Sequence, residues 1–551
     1  MRRGRQALRQ STATIAIAVT EANLAGSIQA ESAPIRRAEL IQAIAFAADL
    51  AFGLELEDGL RACYMACRAA DELGLPEEDR VAVYYASLIK DAGCTSPTAA
   101  MARFWRTDEI AARRAIGVTD DFSTRAFLKW ALKYPAADEP LLRRMGTVAS
   151  VVTRGMSEFG DALNTATEVC ARMSERLGLP ASVQDAIASF FEQWDGKGVP
   201  GYLRGAQIPM VARIVGPTFI IASVHFAMGR EAAVRVLGSQ RGKFFDPQVV
   251  DAFLRLAKKE EFWAPLESGQ DLAPFMLDLE PESDLTWVDG QILDDVALAF
   301  ADFIDLKSPY TASHSRRVGR MCEAIAQHLG LDDAGVTACG RGGLLHDLGL
   351  VAVPSHVLDR PASALRQAER EQLRLHPYMG ERIIERVPMF ASFRPFVAAH
   401  HERFDGTGFH RGLRGEEIPV GARIVAVADR LDELTHAGPG IDALPLERAL
   451  EVLQSEAGTA LDPDVVGVVG NALGGAPREP AQPRAWPAGL TDREVQVLRL
   501  AATGITRKDI GRRLEISENT VRHHLEHIYN KTNTATRVGA ILFGIEHEIV
   551  G

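Results

Sequence analysis

An internal repeat constrains the fold of this chain more than any other feature. Residues 192–198 (EQWDGKG) recur as residues 402–408 (ERFDGTG), at an offset of 210 residues, and neighbouring Leu-Arg-Gly and Ile-Pro segments follow in step. Lys90-Asp91-Ala92-Gly93 recurs as His346-Asp347-Leu348-Gly349, at an offset of 256 residues. The sequence therefore predicts two copies of one fold. The change of offset places an extra segment inside the first copy, within residues ~92–165.

The chain is predicted to be almost entirely helical. Apolar residues in the Leu446–Leu453 stretch recur at a spacing near 3.6, and strand-like alternation is scarce. Prolines fall at plausible helix boundaries. We therefore expect an all-α protein with the following divisions: a disordered or poorly defined start at 1–37, the first copy at 38–260, a linker at 261–293, the second copy at 294–475, a proline-rich linker at 476–487 and a C-terminal unit at 488–551.

Composition and charge exclude several classes of protein. The 551 residues carry a net charge of −12, with 47% hydrophobic and 24% charged residues, so any DNA contact must come from a local basic face. No stretch approaches the ~18–20 unbroken apolar residues of a membrane helix, and the basic start is not followed by a convincing signal peptide. Six cysteines form no recognisable disulfide framework. We expect a cytoplasmic protein that does not bind a membrane.

Histidines and aspartates accumulate in the second copy. Two adjacent histidines open the His400–Gly408 run, a His-Asp pair lies at 346–347, and further candidates are His314, His376 and Asp429. Imidazole and carboxylate ligands without thiolates suit divalent transition-metal ions better than a structural zinc site. We expect two such ions, with Fe or Mn favoured and Zn or Ni as alternatives.

The order of these residues is typical of an HD-GYP domain. Residues ~294–475 resemble this divergent branch of the HD phosphohydrolases in six motifs: Pro309–Val318, His346-Asp347, His376, His400–Gly408, Gly415–Pro419 and Val427–Asp429. The resemblance implies that one ion is held by His314, His346, Asp347 and Asp429, and the other by Asp347, His376, His400 and His401. It also implies that Asp347 bridges the two ions and that the His346-Asp347 pair is catalytic, since two-ion sites activate water for attack on phosphoryl groups.

The first copy keeps the residues of the fold and lacks the metal ligands. Residues 1–224 contain no histidine. The positions aligned with the seven ligands hold Asp58, Lys90, Asp91, Ala166, Phe190, Phe191 and Phe219. Only Asp91 matches, and it lies beside a lysine. We therefore expect a degenerate copy that binds no metal and acts as a docking or regulatory surface.

Three departures from the HD-GYP pattern concern the substrate, which in this family is typically cyclic di-GMP. The motif that names the family reads Gly408-Phe409-His410 here, Leu350 replaces a lysine, and Ala437–Ile441 replaces a basic cluster. A doubly charged dinucleotide would lack those charge-assisted contacts. We predict a hydrolase of phosphodiesters or phosphomonoesters for which cyclic di-GMP is a doubtful substrate.

The C-terminal unit is marked by helix caps. Thr491 with Glu494 forms a capping box, Thr506 caps a second helix, and Ser517 caps a third at residues ~518–530. This pattern is a helix-turn-helix within four helices. Residues ~488–551 resemble, over their whole length, the DNA-binding domain of LuxR-type regulators, which implies that the third helix enters the major groove of duplex DNA.

The predicted DNA-binding residues lie on the second and third helices of this unit. They are Lys508, Arg512, Arg513, Glu518, Asn519, Thr520, Arg522, His523, His524 and Lys531. Asn519 and Arg522 are the candidates for base contact, and Lys508 and Lys531 for phosphate contact. Because helix-turn-helix domains usually bind paired half-sites, we expect a homodimer.

Three functions are compatible with these patterns. The favoured one is a LuxR-type transcriptional regulator coupled to a metal-dependent phosphohydrolase, with duplex DNA and a phosphorylated small molecule, such as a nucleotide, as partners. In the second, the metal domain binds a phosphorylated signal without turnover and gates DNA binding. In the third, the protein is a phosphohydrolase whose helix-turn-helix mainly mediates association.

Overall fold

The described part of the chain is helical, which confirms the all-α prediction. A computed structural model describes residues 35–54, 56–119, 121, 123–288, 290–474 and 486–550, so most of the expected start and of the proline-rich linker lies outside them. Two short strands, Ile35–Arg36 and Trp287–Val288, pair antiparallel.

The names first repeat and second repeat are kept here for the two parts of the chain that carry the repeated sequence segments. The part with the first repeat and its extra segment forms α1 (Arg37–Phe52), α2 (Asp58–Leu73), α3 (Glu77–Ile89), α4 (Thr98–Trp105), α5 (Glu109–Gly117), α6 (Thr124–Lys133), α7 (Leu141–Arg176), α8 (Ala181–Ala188), α9 (Met210–Met228), α10 (Arg230–Gln240), α11 (Pro247–Leu256), α12 (Glu260–Glu267) and α13 (Leu272–Asp278). The part with the second repeat forms α14 (Gly290–Asp305), α15 (His314–His328), α16 (Asp333–Leu345), α17 (Ser355–Leu358), α18 (Gln367–Arg374), α19 (His376–Ile384), α20 (Arg394–Ala399), α21 (Val420–Thr435), α22 (Leu446–Glu456) and α23 (Pro463–Gly474). The C-terminal unit holds α24 (Asp492–Ala502), α25 (Arg507–Leu514), α26 (Glu518–Thr532) and α27 (Arg537–Glu546).

A close backbone contact occurs at aligned positions of the two repeats. A Cβ on Gly93 would lie 1.9 Å from the carbonyl oxygen of Ala166, and a Cβ on Gly349 would lie 1.9 Å from the carbonyl oxygen of His376. Any side chain larger than hydrogen would collide with main chain at both places. The close approach of two main-chain segments therefore explains why glycine occurs in both Asp-x-Gly segments.

Residues 261–293, whose composition predicts a linker, pack in part against the first repeat. Helices α12 and α13 lie here, and Phe262, Trp263 and Met276 are buried. The Tyr84 hydroxyl donates to the Met276 carbonyl oxygen at 2.9 Å. Burial of these apolar side chains outweighs the polar composition of the segment and attaches it to the first repeat.

The extra segment of the first repeat forms α4 to α7 and joins the two repeats. The Thr95 hydroxyl donates to the Phe303 carbonyl oxygen at 2.9 Å. The carboxylate of Glu109, which is fully buried, accepts from the Ser355 amide at 2.6 Å. Buried polar groups that satisfy each other across the two repeats specify one packing of them, because a shifted arrangement would leave those groups unpaired.

The three predicted helix caps of the C-terminal unit are confirmed. Thr491, Thr506 and Ser517 each accept a hydrogen bond from the main-chain amide three residues later. Each cap satisfies one of the amides that lack a partner at a helix N-terminus. The short helices of this unit therefore begin where their sequence predicted.

The C-terminal unit is docked on the rest of the chain through α27 and the residues around it. The Ala535 amide donates to the Glu168 carboxylate at 3.0 Å, and Leu542 is buried in the core shared with the repeats. The Ser313 hydroxyl donates to the Val550 carbonyl oxygen at 3.4 Å. The unit thus contacts both the long helix α7 and the loop that leads into α15.

One described helix, α9, is long and apolar enough to cross a membrane by length and composition alone. In this fold, 61% of its most apolar stretch is buried inside the protein.

Candidate metal centre and DNA-binding surface

The predicted metal ligands meet in the second repeat although they are far apart in sequence. Two groups of side chains have ligand atoms within 4.8 Å of one another: His314, His346 and Asp347, and His376, His400 and His401. They are held at helix ends, since α15 begins at His314 and α19 at His376.

Asp347 lies between the two groups. Its Oδ2 is 3.5 Å from the Nε2 of His314 and 3.5 Å from the Nε2 of His346. Its Oδ1 is 3.2 Å from the Nε2 of His376 and 4.0 Å from that of His400. One carboxylate oxygen therefore faces each group, which is the arrangement needed for one carboxylate to serve two cations.

Asp429 joins the first group, and His401 lies against His400 within the second. Asp429 Oδ1 is 3.4 Å from the Nε2 of His314. The ring of His401 lies 4.3 Å from that of His400, centre to centre. Each group then offers imidazoles together with at least one carboxylate, a donor set that fits a divalent transition metal.

Main-chain carbonyls fix the tautomers of three of the histidines. Nδ1 of His346, His376 and His400 lies 2.8, 2.7 and 2.7 Å from the carbonyl oxygens of Gly343, Leu373 and Val397, respectively. A carbonyl oxygen only accepts, so each Nδ1 carries the hydrogen and each Nε2 keeps its lone pair. Ligation of a metal requires this tautomer and this ring orientation.

The pKa values in the site are strongly perturbed. Burial disfavours ionisation of Asp347, but the neighbouring imidazoles, His346 foremost, lower its pKa well below its usual value. Burial lowers the pKa of His401 to about 4 and that of His400 well below its usual value. The pKa of His314 is raised against the effect of burial by the carboxylates around it. A bound cation would replace that proton.

Asp432 lies outside the predicted set of ligands and is an ion-pair partner that also contacts the site. Its carboxylate lies 2.7 Å from Nδ1 of His314 and accepts two hydrogen bonds from Arg317, at 2.7 and 2.9 Å. Asp432 follows Asp429 by three residues in α21, so the two carboxylates share one helix face. That spacing along α21 places Asp432 beside the ligands.

Replacing Asp432 by Asn should weaken metal binding or hydrolysis about 10–100-fold, because such carboxylates orient the ligand imidazole and raise its basicity. Metal affinity measured against a competing chelator is the readout. Asp464→Asn, on an exposed position of α23, is the matched control and should leave affinity unchanged. Unchanged affinity and turnover in Asp432→Asn would show that this contact is dispensable.

Gly349 lets two segments that carry predicted ligands pack together, because a Cβ on it would lie 1.9 Å from the His376 carbonyl oxygen and 2.5 Å from the Gly380 nitrogen. We expect Gly349→Ala to lower stability by about 3 kcal/mol and to abolish activity, since a methyl group would push Asp347 and His376 apart. Urea unfolding and metal content are the measurements. Gly467→Ala should be neutral or slightly stabilising, because nothing lies within 4 Å of the added methyl. A wild-type unfolding midpoint for Gly349→Ala would contradict the packing argument.

The first repeat has other chemistry at the aligned positions. The rings of Phe190 and Phe191 lie 4.5 Å apart, and Phe219 lies 5.7 Å from Phe190. The buried Lys90 ammonium donates to Asp91 at 2.5 Å. Packed aromatic rings and an internal ion pair therefore lie where the second repeat has imidazoles.

The residues that replace the expected phosphate-binding cations are apolar or lie in a turn. Leu350 is buried, and the Gly438 amide donates to the Ile441 carbonyl oxygen in a tight turn. A cation that the sequence did not single out lies elsewhere: the Arg374 guanidinium is 4.7 Å from the centre of the Phe409 ring, which lies 5.0 Å from the His401 ring. Arg374, the last residue of α18, therefore places a positive charge at the rim of the site.

The predicted DNA-contacting residues are largely exposed on α25 and α26. Lys508, Arg512, Arg513, Glu518, Asn519, Arg522 and His523 are exposed, His524 is partly exposed, and Thr520 takes part in the cap of α26. Lys531 instead donates to Glu494 at 2.7 Å and to the Gly489 carbonyl oxygen at 3.0 Å. In this structure Lys531 therefore ties the third helix of the unit to its first.

Known families match two parts of the chain. Residues 299–465 match the HD domain family, and residues 488–543 match the family described as bacterial regulatory proteins, luxR family. These ranges contain the metal centre and the helix-turn-helix described above.

Known relatives extend the likeness to the first repeat. The chain is 29% identical over 444 residues to the 3′3′-cGAMP-specific phosphodiesterase 3 of Vibrio cholerae, covering 81% of this chain and 96% of that protein. It is 33% identical over 179 residues to a cyclic di-GMP phosphodiesterase of Thermotoga maritima, covering 31% of this chain and 48% of that protein. A solved structure of a cyclic GMP-AMP-specific phosphodiesterase of V. cholerae matches 82% of this chain and all of that one, with 25% identity and a TM-score of 0.57. This chain therefore contains an HD domain within residues 299–465 and a C-terminal domain of the luxR type within residues 488–543.

Proposed function

We propose that this protein is a transcriptional regulator whose HD domain hydrolyses a phosphodiester bond of a 3′,3′-cyclic dinucleotide, cyclic GMP-AMP in preference to cyclic di-GMP. The position of Asp347 carries the proposal, because its two oxygens face two separate groups of imidazoles. A two-ion site of this kind suits phosphoryl transfer. The relative whose likeness spans 81% of this chain acts, by its name, on 3′3′-cGAMP.

The seven ligands would hold two divalent ions, in the two groups described above. Ions held there would activate water and neutralise charge on the phosphoryl oxygens. The chain's own contribution is orientation, since main-chain carbonyls and Asp432 hold the imidazole rings in place. We assign the second phosphate of the substrate to Arg374, whose guanidinium lies over Phe409 at the rim of the site. This assignment would offset the missing cation at Leu350.

The first repeat is proposed to be a metal-free copy that serves as a docking surface. Two observations support this assignment. Gly93 and Gly349 make the same close backbone contact, and aromatic rings lie at three of the positions aligned with ligands. Burial of these aromatic side chains would keep the fold of the copy stable without a bound ion.

Coupling between the two activities would run through the loop before His314. Gly504 of the DNA-binding domain is so close to Pro309 that a Cβ on it would lie 2.4 Å from the Pro309 Cβ. Ser313 is one residue before the proposed ligand His314, and its hydroxyl donates a hydrogen bond to the Val550 carbonyl oxygen. A substrate that shifts this loop would change the free energy with which the DNA-binding domain docks. Because the two equilibria are linked, docking would change the free energy of substrate binding by the same amount.

The test is turnover by the full chain loaded with Mn²⁺ or Fe²⁺. We expect 3′3′-cGAMP to be opened to a linear dinucleotide at about 1 per second or faster. Cyclic di-GMP should be a poorer substrate, and p-nitrophenyl phosphate should not be cleaved. Binding of 3′3′-cGAMP without product would favour the second candidate, a ligand-gated regulator. Cleavage of the phosphomonoester alone, or no reaction in metal-loaded protein, would contradict the proposal.

A further inference from the structure

A cavity of about 650 Å³ opens in the first repeat, between the helices of the repeat and its extra segment. Most of the residues in its wall are apolar, and a few polar side chains lie among them. The residues that matter below are Leu54, Asp58, Arg114, Tyr134, Ser223 and Phe226. This size and this mixture are typical of small-molecule sites, which measure roughly 300–1,000 Å³.

The cavity lies beside a position that corresponds in sequence to a proposed metal ligand. At the offset of 256 residues Asp58 aligns with His314, and at the offset of 210 residues Ser223 aligns with Glu433. The Ser223 hydroxyl donates to the Asp58 carboxylate at 2.7 Å, which joins α9 to the start of α2. Helix α5, which belongs to the extra segment, supplies a further wall through Arg114. The first repeat therefore has a cavity of its own where the second has its metal centre.

Asp58 forms the floor of the cavity, since it is only 3% exposed and yet lines the open space. The nearby Lys90 ammonium is already paired with Asp91 at 2.5 Å. Burial raises the pKa of Asp58 to about 6, so above that pH the carboxylate is ionised and only accepts hydrogen bonds. A ligand that reaches the floor must therefore bring hydrogen-bond donors. The bond from Ser223 leaves room for them, because a carboxylate has about four acceptor sites.

The mouth of the cavity offers an aromatic face and positive charge. Phe226 is 48% exposed, and the Arg61 guanidinium lies 4.5 Å from the centre of its ring. Arg114 is exposed on α5, and Tyr134 lines the same cavity. A planar base can stack on an exposed aromatic side chain, and a guanidinium can bind a phosphate group. The lining therefore suits a ligand with a planar ring, donors at one edge and a phosphate at the other end.

We propose that this cavity binds a guanine nucleotide, with the base inserted toward Asp58 and the phosphate toward Arg114. Guanine carries two adjacent donors on its pairing edge, N1–H and the N2 amino group, which match the two oxygens of one carboxylate. Adenine carries an acceptor, N1, beside its amino group, and that acceptor would face the carboxylate without a partner. The site lies in the first repeat, outside the metal centre, and the proposal does not depend on hydrolysis.

The first experiment is calorimetric titration of the metal-loaded full chain with GMP and with AMP. We expect GMP to bind about tenfold more tightly or better, as the loss of a hydrogen bond to a charged group implies. Asp58→Asn should weaken GMP binding by a similar factor, because the carboxamide replaces an acceptor with a donor. Asp185→Asn, at an exposed carboxylate on α8 of the same repeat, is the matched control and should bind GMP like the wild type. Equal affinities for GMP and AMP, or no binding of GMP at millimolar concentration, would overturn the proposal.

A second variant guards against an effect of the buried Asn on folding. Ala111 is exposed on α5 and lines the cavity, so Ala111→Trp should block the cavity while the core stays intact. Ala149→Trp, at an exposed position of α7 outside the cavity, is its control. Both variants should unfold at the wild-type temperature, and only Ala111→Trp should lose GMP binding. Wild-type affinity for GMP in Ala111→Trp would contradict the proposed site.

The variant His401→Ala separates this cavity from the metal centre. It should bind GMP like the wild type, because His401 lies in the second repeat. Binding that is lost in His401→Ala and kept in Asp58→Asn would place GMP at the metal centre and would refute the proposal. Competition in His401→Ala then identifies the source of the guanine. Displacement of GMP by 3′3′-cGAMP would show that the cyclic dinucleotide itself fits the cavity, and no displacement would show that the cavity takes a mononucleotide.

Discussion

Asp347→Asn is expected to reduce hydrolysis of 3′3′-cGAMP by about 1,000-fold or more, equivalent to about 4 kcal/mol of transition-state stabilisation. The carboxamide nitrogen of Asn cannot accept a metal, so the side chain at position 347 could offer an oxygen ligand to only one of the two groups. The substitution also removes the negative charge of Asp347, which lies beside the imidazoles of His314 and His346. The variant should therefore contain less metal, as measured by elemental analysis alongside product formation.

The control for this variant is Asp333→Asn. Asp333 is an exposed carboxylate in the first turn of α16, the helix that precedes the His346-Asp347 pair. The control should retain wild-type metal content and turnover. If Asp347→Asn keeps both ions and hydrolyses 3′3′-cGAMP normally, then Asp347 does not serve two cations and the arrangement of ligands proposed here is wrong.

Arg522→Ala is expected to weaken binding to the preferred operator by roughly 1–3 kcal/mol, with a much smaller loss on random DNA. Arg522 is exposed near the start of α26, and its guanidinium donates to the Asn519 side chain at 2.8 Å, so the two residues form one polar unit. Val521 and Leu525 are buried on the opposite side of the helix. Binding to both kinds of DNA, measured at several salt concentrations, tests this prediction.

Lys508→Ala provides the comparison. Lys508 is exposed on α25 and should contact phosphate, so its loss should weaken binding to all sequences. The slope of log affinity against log salt should become shallower by about one unit. Equal losses from Arg522→Ala on operator and random DNA would remove Arg522 as a base-reading residue.

Much of the local structure follows directly from the sequence. The caps at Thr491, Thr506 and Ser517 begin helices where predicted, because a cap depends on side chains within three residues of the amide it satisfies. The helical class is confirmed, and so is the presence of an HD domain and of a luxR-type domain, since each rests on patterns within short stretches. The packing of segment 261–293 could not be derived from its composition, because Phe262, Trp263 and Met276 find their partners only in three dimensions.

The sequence by itself determined which side chains could bind metal and DNA, because residue type and order along the chain carry that information. Only the tertiary structure decided how they are arranged. It turned one oxygen of Asp347 toward each group of imidazoles and brought Asp432 to His314. It also docked the C-terminal unit beside the loop before His314 and left a cavity between Asp58 and helix α5. These contacts join residues far apart in the chain, and their distances follow from how the helices pack, which no spacing within one helix records.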